Sequence, residues 1–462
     1  MISGLFEKLY YRSPIFFQNI AISLYGLKLK LNRNSGDYHK YLAEYSTHLG
    51  FSKEEVDDYS LKKLREILEV ASEKVPYYRR FFSETGFSLQ FFSTIEDIKK
   101  IPLLDKETLR KESMDFINES YINKSLTKIG TTGSTGTPLS VYCNANVRQR
   151  NYAVYDRFLS QVGIAANKRK ATLGGRILIP SDLHRPPYWR YSFFQRNLLM
   201  SSYHLSDETI PLYIEKLRKF FPHYIDSYPS SIYMIADYAE RYGIDIKGLT
   251  TAITTSGETL HDAQREVIEK KFGVHVYDQY GSAEMCVFIS QCSHGTYHVN
   301  NDFGLVEFLD DKGESAMPGE EAEIVCTGFI NDVMPLIRYR IGDRALVGDS
   351  VPCACGSPFP KVKALLGRND DVIVTPEGMR VGRLSPVLKG FPVKEAQYVQ
   401  DCVSKVRVLL VSSEGYTAET EANFILELRK RLGQSISIEI EYVDYIERGK
   451  GAKFKSIISR IP

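Results

Sequence analysis

The sequence has no run of about 18 uninterrupted apolar residues, so we expect no membrane-spanning helix. Its first residues lack the basic start and the small-residue cleavage site of a secretory signal peptide, so we expect none. Basic and acidic residues nearly cancel, at 59 Lys and Arg against 57 Asp and Glu, which gives no electrostatic reason to expect a nucleic acid partner. Seven cysteines at irregular spacing indicate a reducing compartment and not a disulfide framework. Together these absences predict a cytoplasmic protein.

The domain organisation follows from length and pattern. At 462 residues the chain exceeds what a single core usually spans, so at least two domains are expected. A helical N-terminal segment extends to about residue 120, and strands then alternate with helices. We expect an α/β fold in which a large multi-sheet domain, residues 1–366, precedes a small α+β domain, residues 367–462. In a helix predicted for the small domain, Ile425, Leu428 and Leu432 share one face.

Residues 13–31, SPIFFQNIAISLYGLKLKL, combine apolar residues with basic residues near their C-terminal end. The segment is too short and too polar to span a bilayer, but its pattern fits a helix that lies on a membrane surface. This interpretation predicts peripheral contact with the inner face of the membrane. The alternative interpretation is a helix that packs against its own domain. The apolar residues are Ile15, Phe16, Phe17, Ile20, Ile22, Leu24 and Leu27.

A loop of small residues lies between two β-rich runs in KIGTTGSTGTPLSVY, residues 128–142. Such a loop presents backbone N–H groups and hydroxyls at close range, which is how proteins hold phosphate oxygens. It is not a Walker A loop, because no Gly-Lys-Ser/Thr ends it and a strand is predicted to follow. A flexible polar hairpin loop is the alternative interpretation. The candidate phosphate-binding residues are Thr131, Thr132, Gly133, Ser134, Thr135 and Gly136.

Four further segments follow this loop in a particular order. They are DQYGSAE at residues 278–284, RYRIGD at 338–343, GRNDDVI at 367–373 and GKGAKFK at 449–455. With these segments the chain resembles the adenylate-forming superfamily of acyl-CoA ligases and of acyl or aryl adenylating enzymes. Within it, the chain is similar to phenylacetate–CoA ligase relatives, particularly adenylating proteins of capsular polysaccharide biosynthesis. The resemblance covers nearly the whole chain, and it implies a large N-terminal adenylating domain followed by a small mobile lid domain.

The resemblance implies that ATP and Mg²⁺ are bound by residues of these segments. It assigns Tyr280 to stacking on adenine and Glu284 to Mg²⁺, and both suit their chemistry, an aromatic face for a purine and a hard oxygen ligand for the cation. A solvated loop carboxylate is the alternative interpretation of Glu284. The segment TTSGETL, residues 254–260, would line the nucleotide and acyl pocket. The remaining residues predicted for these two segments are Ser256, Gly257, Glu258, Gly281 and Ser282.

Three residues near the predicted domain junction are also assigned by the resemblance. Asp343 matches the carboxylate that accepts hydrogen bonds from both ribose hydroxyls, although an ion pair with Arg340 or Arg344 is the structural alternative. Arg368 resembles the arginine that contacts the nucleotide near the junction. Asp370 occupies the position of the hinge, which absorbs the backbone rotation between two half-reactions.

The catalytic lysine of the C-terminal tail has two candidates. Lys450 lies in Gly-Lys-Gly, whereas Lys453 precedes a short hydrophobic strand that ends in a basic residue, as the family pattern requires. We choose Lys453, whose ammonium would stabilise the charge that develops at the α-phosphate when the carboxylate attacks. Two positions depart from the family pattern, because Thr137 stands where many members carry Lys and Ala452 where Gly is usual.

A second constellation is separate from the nucleotide segments. Cys292 and His298 occur in QCSHGTYHVNND, and Cys353 and Cys355 occur in VPCACGSP. These four residues make a closed tetrahedral Cys₃His set, so a zinc ion held by them would be structural. His294 competes with His298 as the fourth ligand. The alternative interpretation is a group of buried free thiols with a surface histidine.

The sequence therefore predicts an adenylate-forming ligase that produces AMP and pyrophosphate. It would activate a carboxylic acid as an acyl-adenylate and transfer the acyl group to a nucleophile. The resemblance suggests an amine or amino sugar of a surface polysaccharide precursor, of capsule or O-antigen, as the acceptor. The second interpretation is an acyl-CoA or aryl-CoA ligase with CoA as the acceptor. A non-catalytic nucleotide-binding relative is the third, although retention of Glu284, Asp343 and Arg368 argues against it.

Overall fold

The computed structural model describes residues 9–130, 139–176, 178–179, 185–368, 373–376, 380–381, 384–388, 391–448 and 454–461. The helices are α1 (Ile15–Arg33), α2 (Tyr38–Thr47), α3 (Lys53–Lys74), α4 (Pro76–Thr85), α5 (Lys106–Lys111), α6 (Ala145–Gln161), α7 (Ile210–Phe220), α8 (Pro229–Arg241), α9 (Asp262–Phe272) and α10 (Ala418–Leu432). Short 3₁₀ helices lie at His48–Gly50, Leu89–Phe91, Ile95–Lys100, Glu119–Tyr121 and Ser385–Leu388.

The strands are numbered in the same way, in chain order. The first ten are β1 (Thr127–Gly130), β2 (Ser140–Cys143), β3 (Lys170–Gly174), β4 (Trp189–Ser192), β5 (Asn197–Ser201), β6 (Tyr224–Ser227), β7 (Ala252–Ser256), β8 (Val276–Gly281), β9 (Phe288–Gln291) and β10 (Tyr297–Val299). The others are β11 (Gly304–Leu309), β12 (Glu321–Gly328), β13 (Tyr339–Val347), β14 (Lys361–Arg368), β15 (Ile373–Val374), β16 (Arg380–Val381), β17 (Val393–Cys402), β18 (Lys405–Ser412), β19 (Ser437–Tyr442) and β20 (Ile457–Ser459).

A 12-stranded sheet forms the centre of the large domain, in the order β11-β12-β13-β14-β10-β9-β8-β7-β6-β3-β5-β4. From β8 to β5 neighbouring strands run parallel, and the other pairs of this sheet are antiparallel. Helices α7, α8 and α9 connect the parallel strands β5, β6, β7 and β8 in turn. Since parallel strands joined by helices end at the same edge, the loops after β7 and β8 meet there.

The N-terminal helices cover the antiparallel part of this sheet. Ser52 caps α3 through a reciprocal capping box with Glu55, and Pro76 opens α4 at a position where its missing N–H is not needed. The buried side chains Leu68 and Phe82 pack in one core cluster with residues of β9 to β14. Helix α1 packs against β4 and α6, so the structure contains the helix packed on its own domain.

A second sheet of four strands, β19-β18-β17-β20, forms the small C-terminal domain. Helix α10 begins after the cap residue Thr417 and packs on the sheet through Phe424, Leu428 and Leu432, which are fully buried. The predicted face is therefore shifted, because Phe424 takes the core position and Ile425 is only partly buried. This core draws on residues from 373 to 457 and forms its own cluster.

The α/β class is confirmed, with a large multi-stranded sheet and a small α+β domain at the C-terminus. The division between residues 366 and 367 stays a prediction. Within the part of the chain that the structure describes, no helix combines the length and the apolar character that crossing a membrane requires.

Candidate active site and metal cluster

A cleft of about 1640 Å³ opens where the loops after β7 and β8 meet. Residues 454–458 of the C-terminal segment contribute to its lining, so both domains border it. Ser256, the last residue of β7, comes directly before the lining residues of its loop. The structure thus brings most of the described nucleotide residues together in one cavity. Those that line it are Gly257, Glu258, Tyr280, Gly281, Ser282, Glu284 and Asp343.

The ends of β7 and β8 are joined by a buried carboxyl that sequence reasoning missed. Thr255 lies opposite Asp278 in the parallel register, and its hydroxyl donates to Oδ1 of Asp278 at 2.6 Å. The hydroxyl of Tyr297, on β10, donates to Oδ2 at 2.7 Å. Burial raises the pKa of Asp278 to about 6. The sequence does draw attention to Asp278, because this residue begins the DQYGSAE segment. Its role could not be predicted, because its hydrogen-bond partners lie on other strands.

Tyr280 and Asp343 contact each other in the cleft. The Tyr280 hydroxyl donates to Oδ2 of Asp343 at 2.6 Å. Desolvation and the neighbouring carboxylate raise the pKa of Tyr280 well above its usual value, so the hydroxyl keeps its proton and donates. The two arginines of the ion-pair alternative have other carboxylate partners, because Arg340 pairs with Glu323 at 2.6 Å and Arg344 with Asp311 at 2.9 Å.

Glu284 lies in the loop between β8 and β9 and is 5% exposed, which rules out the solvated-carboxylate interpretation. The hydroxyl of Tyr339 lies 3.4 Å from its Oε1. The next residue, Met285, has a φ of 54°, an uncommon left-handed conformation for a side chain of this size. Gly304 allows this bend, since a Cβ there would lie 2.3 Å from the carbonyl oxygen of Cys286. Packing thus fixes a carboxylate, the ligand type that Mg²⁺ prefers, at the cleft.

Glu258 connects the large domain to the C-terminal tail. Its Oε2 accepts the backbone N–H of Ser230, at the start of α8, at 3.0 Å, and its Oε1 accepts the N–H of Phe454 at 2.7 Å. Burial raises the pKa of Glu258. A helix N-terminus stabilises a nearby carboxylate, so Glu258 is held at the position from which it binds the tail.

Several predicted residues lie outside the described residues. Around them, β1 and β2 flank the small-residue loop as predicted, and Gly130, the last residue of β1, lines the cleft. The backbone of Arg368 lies opposite Asp343 in the pairing of β13 and β14, but its side chain is not described. The predicted residues that lie outside the described part of the chain are Thr131, Thr132, Gly133, Ser134, Thr135, Gly136, Asp370, Lys450 and Lys453.

The four predicted zinc ligands come together at one end of the antiparallel strands. Cys292 follows β9, His298 lies on β10, and Cys353 and Cys355 lie in the loop between β13 and β14. The Sγ atoms of Cys292 and Cys353 are 3.8 Å apart, and Sγ of Cys355 is 3.4 Å from Nε2 of His298. All four ligand atoms lie within 4.8 Å of one another. A tetrahedral zinc with bonds of about 2.3 Å separates two sulfurs by about 3.8 Å, so the arrangement fits this ion.

The structure also distinguishes the two candidate histidines. Nδ1 of His298 lies 3.0 Å from the carbonyl oxygen of Phe359, which can only accept, so Nδ1 carries the proton and Nε2 faces Cys355. His298 is 4% exposed, whereas His294 is exposed and contacts its neighbour Ser293. The fourth member of the cluster is therefore His298.

Comparison with known proteins identifies relatives along the whole chain. The family model described as the CapK C-terminal domain matches residues 373–460. Protein CapK of Staphylococcus aureus is 30% identical over 98% of this chain and 99% of its own length. Phenylacetate-coenzyme A ligase of Thermus thermophilus is 25% identical over 68% of this chain and 70% of its own.

Solved structures share the fold. That of 2-hydroxyisobutyryl-CoA ligase in the postadenylation state with 2-HIB-AMP has a TM-score of 0.70 at 19% identity, and covers 87% of this chain and 89% of that one. The similarity to Protein CapK extends from end to end, across both domains. The chain therefore belongs to the adenylate-forming ligases, in the phenylacetate–CoA ligase-like group that includes Protein CapK.

Proposed function

We propose that the protein activates a carboxylic acid with ATP and transfers the acyl group to an amine on a surface polysaccharide precursor. The first half-reaction forms an acyl-adenylate and releases pyrophosphate, and the second releases AMP. The observation that carries this proposal is the cleft, where Tyr280, Glu284 and Asp343 meet and where the C-terminal tail is bound by Glu258.

In the proposed nucleotide complex, the pair of Tyr280 and Asp343 binds the nucleoside. The hydrogen bond between them orients the carboxylate toward ribose hydroxyls and keeps the ring beside the place where adenine would stack. Glu284 would hold Mg²⁺, which would neutralise charge on the phosphates. Gly130 positions the start of the small-residue loop at the same cleft, and this loop would hold the triphosphate through its N–H groups and hydroxyls.

The contact between Glu258 and Phe454 gives the proposal a first quantitative test. Glu258→Ala removes both acceptors of the carboxylate, so the tail loses the hydrogen bond that Phe454 donates to the large domain. A hydrogen bond to a charged group contributes about 1.5–3 kcal/mol, so we expect adenylate formation to slow by about tenfold or more. ATP binding, measured by calorimetry, should change by less than about twofold although Glu258 lines the cleft, because both of its carboxylate oxygens accept backbone N–H groups of the protein.

Glu258→Gln is the matched control, since it keeps an accepting oxygen and should retain more activity than the alanine variant. An alanine variant that adenylates at the wild-type rate would show that this contact has no part in the first half-reaction.

For the acceptor, the choice of an amine rests on the resemblance to adenylating proteins of capsular polysaccharide biosynthesis. The similarity to Protein CapK covers 98% of the chain, whereas the similarity to the phenylacetate–CoA ligase covers 68%. A CoA ligase remains the second candidate, because the solved relatives carry that activity in their names. Both candidates share the first half-reaction and differ only in the nucleophile.

Two assays separate these functions. Pyrophosphate exchange with a panel of carboxylic acids tests activation, and no exchange with any acid would count for a non-catalytic nucleotide-binding protein. The enzyme loaded with the best acid is then mixed with amino sugars or with CoA. Release of AMP together with an amide supports the proposal, and release together with a thioester establishes the CoA ligase instead.

The hinge at Asp370 gives a second prediction. Asp370→Pro fixes φ at this position, so rotation of the small domain after adenylation should be blocked. We expect adenylation within about twofold of wild type and transfer to the acceptor slower by about tenfold or more, as measured by single-turnover kinetics. Equal loss in both steps would argue against a hinge at this residue.

We also propose that Cys292, His298, Cys353 and Cys355 hold a structural zinc ion. Four ligands without an open position would connect the turn after β9 to the loop between β13 and β14. The cysteines also bear on the location of the protein. All seven lie within the described residues and none of them forms a disulfide, which supports a reducing, cytoplasmic location, where ATP is also present.

A further inference from the structure

Helix α1 is attached to the large domain through polar side chains. Arg190 on β4 donates from Nε to Oε1 of Gln18 at 2.5 Å, and the backbone N–H of Tyr191 donates to Oδ1 of Asn19 at 3.0 Å. The N–H of Phe193 donates to Oγ of Ser23 at 3.0 Å. The polar face of the helix is thus turned toward the protein.

The opposite face of α1 is apolar and exposed. At 100° per residue, its residues fall on one stripe about 100° wide. The β4–β5 turn next to it adds Phe193 and Phe194, which are 65% and 38% exposed. The exposed fractions on the stripe are 68% for Phe16, 58% for Phe17, 41% for Ile20, 58% for Leu24 and 58% for Leu31.

Within residues 9–36 the charged side chains have one sign. Residues 9–36 contain no Asp or Glu, and Arg12, Lys28 and Lys30 are exposed. Arg33 lies apart, over the ring of Tyr152 at 4.4 Å. An apolar stripe bordered by cations is the pattern of a helix that lies in a lipid–water interface.

From these contacts we infer that the exposed face of α1, together with Phe193 and Phe194, binds the surface of an anionic lipid membrane. The apolar side chains would enter the acyl boundary, while Lys28 and Lys30 contact the headgroups. A second copy of the chain fits less well, because a symmetric contact would place the same cations against each other. The inference does not depend on the nucleotide site.

The experiment is sedimentation of the full-length protein with vesicles of phosphatidylcholine alone or with about 30% phosphatidylglycerol. We expect the protein to bind the vesicles that contain phosphatidylglycerol, and added salt should weaken this binding. Binding to vesicles of phosphatidylcholine alone should be weaker. The variant Phe16→Ser with Ile20→Ser and Leu24→Ser should lower the partition coefficient by about tenfold or more, since each change removes apolar area from the interface. Lys28→Glu with Lys30→Glu should lower it on anionic vesicles.

The matched control is Phe91→Ser, because Phe91 is 74% exposed and lies on a separate 3₁₀ helix. It should bind vesicles like the wild type. Pyrophosphate exchange by every variant should be unchanged, since these side chains do not line the cleft.

Absence of vesicle binding, or equal binding by the wild type and the triple serine variant, would overturn the inference. So would a dimer in analytical ultracentrifugation that this variant dissociates, because a second copy would then be the occupant.

Discussion

Replacing Lys453 with alanine is expected to slow adenylate formation by about 100-fold or more while ATP binding changes little. The ammonium matters most when charge develops at the α-phosphate, so its loss raises the barrier and not the dissociation constant. The residue that follows Lys453 in the chain, Phe454, lies at the cleft, where its N–H donates to Glu258. Carboxylate-dependent pyrophosphate exchange measures the rate, and calorimetry with ATP measures binding.

Lys450→Ala serves as the control, because it removes the same charge three residues earlier. It should adenylate at close to the wild-type rate. If Lys450→Ala abolishes exchange and Lys453→Ala does not, our choice between the two lysines is wrong. A matching loss in Lys453→Arg and Lys453→Ala would show that the shape of the ammonium group matters as well as its charge.

The second large effect is expected from loss of zinc. The purified protein should carry about one zinc per chain, and Cys353→Ser with Cys355→Ser should remove it. Without the ion the two loops lose their connection, and the apparent Tm of the large domain should fall by about 5 °C or more. Elemental analysis gives the metal content, and thermal unfolding followed by circular dichroism gives Tm.

Two matched substitutions test the ligand set. Cys402→Ser removes an exposed cysteine of the small domain and should change neither zinc content nor Tm. His294→Ala should keep the zinc that His298→Ala loses, because only His298 faces the thiols. Protein purified without chelator that contains no zinc would disprove the site. Zinc that survives the double cysteine substitution would place the metal elsewhere.

Most of the described residues that the sequence predicts for the nucleotide site line one cleft, because their segments lie at the ends of strands. Tyr280 lies near the end of β8 and Glu284 in the loop that follows it, and the parallel sheet places the ends of such strands together. The cysteine and histidine positions were also identifiable, since close spacing in two loops limits the geometry they can adopt.

Partners that lie far apart in the chain were not predictable. Glu258 and Phe454 are 196 positions apart, and neither carries a local signal for the other. The role of Asp278 became visible only with its partners on two other strands of the sheet, β7 and β10. The shift from Ile425 to Phe424 on α10 has the same cause, because helical periodicity places neighbouring residues only 100° apart and the sheet decides which one is buried.

Helix α1 reverses the usual expectation about which substitutions a helix tolerates. Folding should depend on Gln18, Ser23 and Gly26, because they contact β4 and the turn after it, and a Cβ at Gly26 would lie 2.3 Å from Oγ of Ser192. Phe16 and Leu24 touch mainly solvent, so polar residues there should leave folding intact. Random mutagenesis screened for soluble expression would thus accept changes at the large apolar positions of this helix and reject them at its small and polar ones.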